Sequence, residues 1–479
     1  MERTQMRSVG IDIGTSTTQM AVSLLTVENT AGFFAVPRAS IVGKEVVYRS
    51  PIYETPLLDE TRIDGPAVGA LVEETYRLAG LTPDQVQTGA VIITGETARK
   101  ENAAAVLAQI SGFAGDFVVS TAGPDLEALI AGQGSGAQRA SEAAGAVVMN
   151  LDIGGGTTNV AVFDSGEPVA QGCFDIGGRQ ARFAPDGRLT ALSAGAQRVA
   201  EAYGISLTVG ECPPPEALTR LCDGMNELLE QACGLLPRTR LLDLVTTPGS
   251  TPFAPSGRRP VTHLCFSGGV ADCMDHLPAE RFAFGDLGML LAQAIRRGRL
   301  LRAFRIVHAQ ETIRATVIGA GSHTTSISGS TIDAAARLLP LKNLPVLKLT
   351  ELEEARVTAG DSDLLRNKAR WFLQQNDVNR LALGMAGPPD PSYEQLQTLA
   401  EAVAAGLNDA LPAEAPVVVV LRQDVAKALG LLLRPLLSAR AVLCIDGVRT
   451  GLGGFLDLGR PVLDGMAVPV VVKTLIFGE

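Results

Sequence analysis

VGIDIGTSTTQMAV (Val9–Val22) and MNLDIGGGTTNVAV (Met149–Val162) are two versions of one phrase. Aligned at an offset of 140 positions, seven of their fourteen residues are identical, including Asp12 with Asp152 and Gly14 with Gly154. In each copy a short apolar strand ends in Asp-Ile-Gly, turns through small residues and resumes as a second strand. Gly14 in the first bend, and Gly154, Gly155 and Gly156 in the second, lack a Cβ. Each bend can therefore be sharp, and its amides can approach a ligand closely. A row of such N–H groups forms a concavity suited to phosphate. Thr15, Ser16, Thr17, Thr157 and Thr158 add hydroxyl donors.

A carboxylate beside a phosphate repels it unless a cation lies between them. Asp12 and Asp152 therefore imply a hydrated Mg²⁺, which keeps waters and uses one or two carboxylates together with phosphate oxygens. Two facing hairpins would clamp a nucleotide's phosphates from both sides, which is a physical reason for writing the device twice. One Gly/Thr turn alone would read as a tight hairpin. Two copies in register, each with Asp two residues before its glycine, do not. No G-x-x-x-x-G-K-[ST] occurs, and neither bend is a G-x-G-x-x-G opening a helix.

The rest of the chain suits such a site. At 479 residues it exceeds one core, and apolar strands alternate with helical stretches throughout, which predicts an α/β protein of several domains. The net charge is −10 without a basic cluster, which argues against nucleic acid or an anionic membrane as a partner. No apolar run reaches the roughly 18–20 residues that span a bilayer. With no signal peptide evident, a cytoplasmic protein is expected. Seven cysteines without a C-x-x-C pair predict reduced, mostly buried thiols. Helices are expected over Ala67–Ala79, Glu96–Ile110, Pro124–Ala131, Pro215–Leu236 and Asp424–Leu437. Gly132–Ala146 reads as a loop around a short helix, Thr246–Pro260 as a surface loop, and Ala386–Tyr393 as a second linker.

The paired motifs resemble phosphate-1 and phosphate-2 of the actin-like ATPase superfamily, which includes Hsp70, actin and sugar kinases. Asp125–Gly132 (DLEALIAG) looks like its first connecting helix, with Glu127 standing 25 positions before Asp152 as the acidic residue of Hsp70-type proteins does. Phe266–Asp272 (FSGGVAD) resembles the adenosine motif, so Ser267, Gly268 and Gly269 are expected at the nucleoside. GDLGMLLAQAIR, from Gly285, matches the second connecting helix, and FDIGGRQARF (Phe174–Phe183) the entry to a mobile subdomain. The resemblance implies duplicated ribonuclease H-like lobes. The first would span residues 1–148 and the second 149–335, with the mobile subdomain at about 185–260. An additional α/β region, 336–479, would follow.

VIITGETARKENA (Val91–Ala103), STAGPDLEALIAG (Ser120–Gly132), ATVIGAGSHTTSISGSTI (Ala315–Ile332) and the tail from Val442 narrow the resemblance to the ethanolamine ammonia-lyase reactivating factors, the EutA family, over nearly the whole chain. That likeness implies a chaperone with slow, Mg²⁺-dependent ATPase activity. It would release damaged cobalamin from ethanolamine ammonia-lyase so that adenosylcobalamin can rebind. ATP and Mg²⁺ are the implied cofactors, the lyase is the implied partner, and a homo-oligomer is expected. Within the cytoplasm, association with a bacterial microcompartment is a further expectation. Asp12 and Asp152 would hold the metal's water shell, and Glu127 would orient or deprotonate the attacking water. Glu96, Arg99 and Lys100 are weaker candidates. GAGSHTTSISGS reads as a third small-residue turn. A small-molecule kinase on the same scaffold is the alternative function; it would need a cleft carboxylate to deprotonate a substrate hydroxyl, and no acidic residue stands in such a context.

Overall fold

The structure, a computed structural model, describes residues 3–14, 17–29, 39–59, 62–94, 101–110, 120–121, 123–250, 253–254, 259–275, 282–323, 326–329, 339–448, 450, 454–461 and 467–474. The first sheet holds β1 (Arg3–Ile13), β2 (Thr17–Asn29), β3 (Ala39–Arg49), β4 (Tyr53–Glu54), β5 (Thr88–Ile93) and β6 (Ser120–Thr121). Helices α1 (Gly65–Leu78) and α2 (Ala103–Ile110) accompany it, then α3 (Pro124–Gly134) and α4 (Ala137–Ala144). The second sheet starts with β7 (Val147–Ile153), β8 (Thr158–Asp164) and β9 (Glu167–Phe174). An insertion follows: hairpin β10 (Ala181–Phe183) and β11 (Leu189–Leu192), then α5 (Ala194–Ala202), α6 (Pro215–Ala232) and α7 (Arg240–Leu244). The sheet closes with β12 (His263–Ser267), α8 (Gly269–Asp275), α9 (Gly288–Arg297), α10 (Leu300–Ala303) and β13 (Arg305–Val307), and α11 (Ala315–His323) leads away from it.

Setting aside β4, which pairs with β2, the two sheets have one topology: β3-β2-β1-β5-β6 and β9-β8-β7-β12-β13. In both, the first three strands are antiparallel and the last two join parallel to the first. The sequence repeat is thus the central hairpin of a repeated lobe, and the fold is the duplicated actin-like ATPase architecture. Central β5 and β7 are buried along their whole length, so apolar residues occupy both of their faces. Local signals agree with the elements. Asp64 caps α1 by accepting from the Ala67 amide at 3.0 Å, with Pro66 in the first turn.

The lobes exchange helices. α3 packs on β8 and β9 of the second sheet, α11 packs on β1, β2 and β5 of the first, and the two helices cross each other. Their backbones nearly touch. A Cβ on Gly134 would sit 1.8 Å from the Ala315 carbonyl oxygen, and one on Gly319 would sit 2.0 Å from that of Ile130. Only glycine permits this approach.

This crossing corrects the reading of the second connecting helix. α9 packs on α6 and α8 within the second lobe, and the helix that returns to the first lobe is α11. Gly319 and Gly321 of GAGSH therefore sit at packing contacts within a helix rather than in a turn. The 132–146 stretch is also helical. α3 runs on to Gly134, and after Gly136 (φ +87°) α4 begins and ends at Gly145 (φ +55°).

The third sheet, order β14-β20-β19-β15-β16-β17-β18, comprises β14 (Ser326–Gly329), β15 (Leu341–Lys348), β16 (Ala382–Met385), β17 (Val417–Leu421), β18 (Val442–Ile445), β19 (Gly454–Leu458) and β20 (Ala467–Thr474). β15 to β18 are parallel. Their connections carry α12 (Glu351–Thr358), α13 (Ser362–Gln375), α14 (Tyr393–Ala410) and α15 (Ala426–Leu436), which share one core with one sheet face. The other face shares a core with β19 and β20. The expected linker at Ala386–Tyr393 is instead the β16–α14 connection, where the Ala386 and Gly387 amides donate to Glu354 at 2.9 and 2.7 Å. All seven cysteines are free thiols, and each except Cys212 is buried. Among the described residues no helix is long and apolar enough to cross a membrane.

Candidate nucleotide cleft

The two hairpins face one cavity of about 340 Å³ between the lobes, within the range of small-molecule sites. They are built alike. The Gly14 amide donates to the Thr17 carbonyl at 2.9 Å, and the Gly154 amide to the Thr157 carbonyl at 2.9 Å. Asp12 is the cross-strand partner of Gln19, and Asp152 that of Asn159. Each hairpin therefore presents a carboxylate and a carboxamide side by side. Gly14, Thr17, Gly154, Gly155, Gly156 and Thr157 line the cavity, as do Gly268 and Gly269 on the second lobe.

Each Asp receives a hydroxyl from the neighbouring parallel strand. Thr94, just beyond β5, donates to Asp12 at 2.8 Å, and Ser267, ending β12, donates to Asp152 at 2.6 Å. Behind Ser267 runs a fixed chain: Ser135 donates to Asn150 at 2.9 Å, and Asn150 to Ser267 at 3.0 Å. Both carboxylates are buried. Burial pushes the Asp12 pKa up to about 7, against the Thr94 hydrogen bond and with a further rise from the charge of Asp152. Burial likewise takes Asp152 up to about 6, against hydrogen bonds from Ser267 and Thr316. Two hard oxygen donors kept from water, the charge of Asp12 further disfavoured by Asp152, fit a hydrated divalent cation such as Mg²⁺.

Glu127, in the first turn of α3, is 7% exposed, lines the same cavity and accepts from the Asn159 side-chain amide at 2.8 Å. The crossing helix thus carries a carboxylate to the bend of the second hairpin. Gly268 stands at φ +87°, and a Cβ there would meet the Ile153 carbonyl oxygen at 2.4 Å, so the glycine turn after β12 lies directly on the second hairpin.

Two expected ligand groups face elsewhere. The Thr158 hydroxyl is fully buried and donates to the Ile176 carbonyl at 2.8 Å, because strand alternation turns it away from its neighbour Thr157. Ser267 is also fully buried, and its hydroxyl is committed to Asp152. Thr15, Ser16, Glu96, Arg99 and Lys100 lie outside the described residues.

Sequence reasoning missed Gln19, Asn159, Thr94, Thr316 and Arg179, all at the cavity. The first two carried a signal, since they too keep the 140-residue offset. Thr94 and Thr316 come from strand and helix ends that the repeat does not include.

The family model for the ethanolamine utilisation protein EutA matches residues 4–478. The ethanolamine ammonia-lyase reactivase EutA of Salmonella typhimurium is 37% identical over 486 residues, and that of Escherichia coli 37% identical over 493, with the whole of each chain covered in both cases. Among solved structures, the Aquifex aeolicus member of the Ppx/GppA family is 13% identical, with 66% of this chain and 97% of that one covered and a TM-score of 0.41. The ethanolamine utilization protein EutJ of Carboxydothermus hydrogenoformans is 14% identical, with 66% and 89% covered and a TM-score of 0.31. With its family model matched from end to end and relatives this similar over their full length, the chain belongs to the EutA family of ethanolamine utilisation proteins.

Proposed function

We propose that this chain is an ATP-dependent reactivating chaperone that frees ethanolamine ammonia-lyase of damaged cobalamin, so that adenosylcobalamin can rebind. The observation that carries the reading is the pair of matched carboxylate hairpins on opposite lobes of one cavity, tied by helices that cross backbone to backbone. The full-length similarity to proteins named ethanolamine ammonia-lyase reactivases supports the choice of partner.

The amides of the two bends hold the phosphate chain, and Gly268 and Gly269 admit the nucleoside to the backbone. Asp12 and Asp152 would hold a hydrated Mg²⁺ ion, which would neutralise the phosphates. Glu127, held by Asn159, orients the attacking water and takes its proton. A terminal phosphate bound between the two hairpins would contact both lobes, so its presence would favour a closed cleft and its loss would relax it. A ligand biases that equilibrium only through its differential affinity for the two shapes. The α3–α11 crossing is the joint about which the lobes turn, and the change in angle loosens the grip of the lyase on its cofactor.

The test incubates the protein with cyanocobalamin-blocked lyase, free adenosylcobalamin, ATP and Mg²⁺. Lyase activity returns with the unaltered protein and does not return with Asp12→Asn or Asp152→Asn. Full recovery with those variants would remove the site from the mechanism.

A further inference from the structure

The described residues lining the cleft carry five carboxylates, Asp12, Glu127, Asp152, Asp272 and Asp286, and a single cation, Arg179. That balance is unfavourable for a polyanion, which makes the one guanidinium conspicuous. Its backbone is fixed at the second hairpin. The Arg179 amide donates to the Gly155 carbonyl at 2.7 Å, and that of Gly178 to the Gly154 carbonyl at 3.0 Å. A Cβ on Gly177 would lie 2.4 Å from the Gly155 carbonyl oxygen, so this segment lies flat against the bend.

The side chain is far less constrained. Its nearest charge is Asp286, with Nε 3.7 Å from Oδ2, too long for a hydrogen bond, and the guanidinium donates to no other described residue. Asp286 already has a partner, because its Oδ1 accepts from the Gly288 amide at the start of α9 at 2.8 Å. The arginine is one-third exposed and its donors are unmatched, while Asp286 stays held without it.

We propose that Arg179 is the protein's own counter-charge to the phosphate chain of the bound nucleotide, resting beside Asp286 and transferring its guanidinium to phosphate oxygens on binding. The planar fork suits bidentate contact with phosphate, and the fixed backbone keeps its reach to the bend short. The inference rests on the nucleotide reading of the cleft.

Calorimetric titration of the full-length protein with Mg-ATP and with adenosine tests it. Arg179→Gln weakens Mg-ATP binding about tenfold to a hundredfold and changes adenosine binding less than about twofold. Arg179→Lys falls between, because it keeps the charge and loses the fork. Asp286→Asn tightens Mg-ATP binding, since the competing carboxylate is gone. Mg-ATP binding by Arg179→Gln equal to that of the unaltered protein overturns the inference alone. So does an equal loss for ATP and adenosine in both Arg179 variants, which marks a structural ion pair. Failure of the unaltered protein to bind either ligand overturns the cleft reading and this inference together.

Discussion

Asn159 donates its side-chain amide to Glu127 across 2.8 Å, joining the second hairpin to the first crossing helix inside the cleft. The bond fixes the carboxylate on a helix that belongs to the first lobe by chain and packs on the second. Asn159→Leu keeps the bulk and removes the donor. ATP turnover is expected to fall about tenfold to a hundredfold, the range of a misplaced general base, while Mg-ADP affinity stays within about twofold. Steady-state hydrolysis beside calorimetric ADP binding measures the split. An unchanged turnover would dissociate Glu127 from the chemistry.

The crossing of α3 and α11 has no room for a methyl group. Gly134→Ala and Gly319→Ala place a Cβ 1.8 and 2.0 Å from backbone carbonyl oxygens, atoms that cannot move aside as a side chain's end can. Each is expected to cost about 3 kcal/mol or more, or to force the helices apart. Gly69→Ala in α1 is the control. Its Cβ would have Gln109 Nε2 at 3.8 Å as its nearest neighbour, and the change should be neutral or stabilising by up to about 1 kcal/mol. Thermal unfolding of the three variants settles the comparison; a tolerated Gly319→Ala would show that the helices do not pack as tightly as described.

How much of this was legible beforehand depended on what kind of signal each residue leaves. Asp12 and Asp152 were visible because a repeat is a long-range correlation that survives without coordinates. The α11 sequence suggests a turn because glycine at a helix crossing looks the same in sequence as glycine in a turn. What separates them is the carbonyl oxygen of Ile130, about 190 residues earlier, lying against Gly319. A run of two threonines reads as a patch toward the ligand, whereas the Thr158 hydroxyl at the start of β8 turns inward to the Ile176 carbonyl. Arg179 stands within FDIGGRQARF without a signal of its own, since only the fold brings it beside Asp286.

Protonation of the cleft carboxylates sets a pH dependence. Asp12 and Asp152 have folded pKa values raised to about 7 and about 6, from 3.8. A raised carboxylate contributes stability that is fully present below about pH 4 and is lost as pH climbs through the folded pKa. In EDTA the unfolding midpoint should therefore decline from pH 5 to pH 8, and Asp12→Asn should flatten that decline by about 2 kcal/mol. Mg-ADP should stabilise more at pH 8 than at pH 5, because at the lower pH the metal competes with protons. A stabilisation by Mg-ADP that is the same at both values would separate the metal from these carboxylates.

A second carboxylate pair lies far from the cleft, at the carboxyl edge of the third sheet. Asp446 follows β18 and Asp424 follows β17, its parallel neighbour. Burial first, then the adjacent Asp424 carboxylate, pushes Asp446 up to about 8. The sign is again that of a raised acid: stability is present below about pH 4 and is lost as pH rises through 8. Asp446→Asn keeps the shape and removes the titration, so its advantage over the unaltered protein should grow from pH 5.5 to pH 8.5 to about 2 kcal/mol. Asp424→Asn should give a smaller gain in the same direction, because it removes the second cause and leaves the first. Urea midpoints at the two pH values measure both, and Mg-ATP affinity should be unchanged, since neither residue lines the cavity. Parallel pH profiles for the unaltered protein and Asp446→Asn would mean that this carboxyl group ionises as freely folded as unfolded, and the pair would then carry no strain.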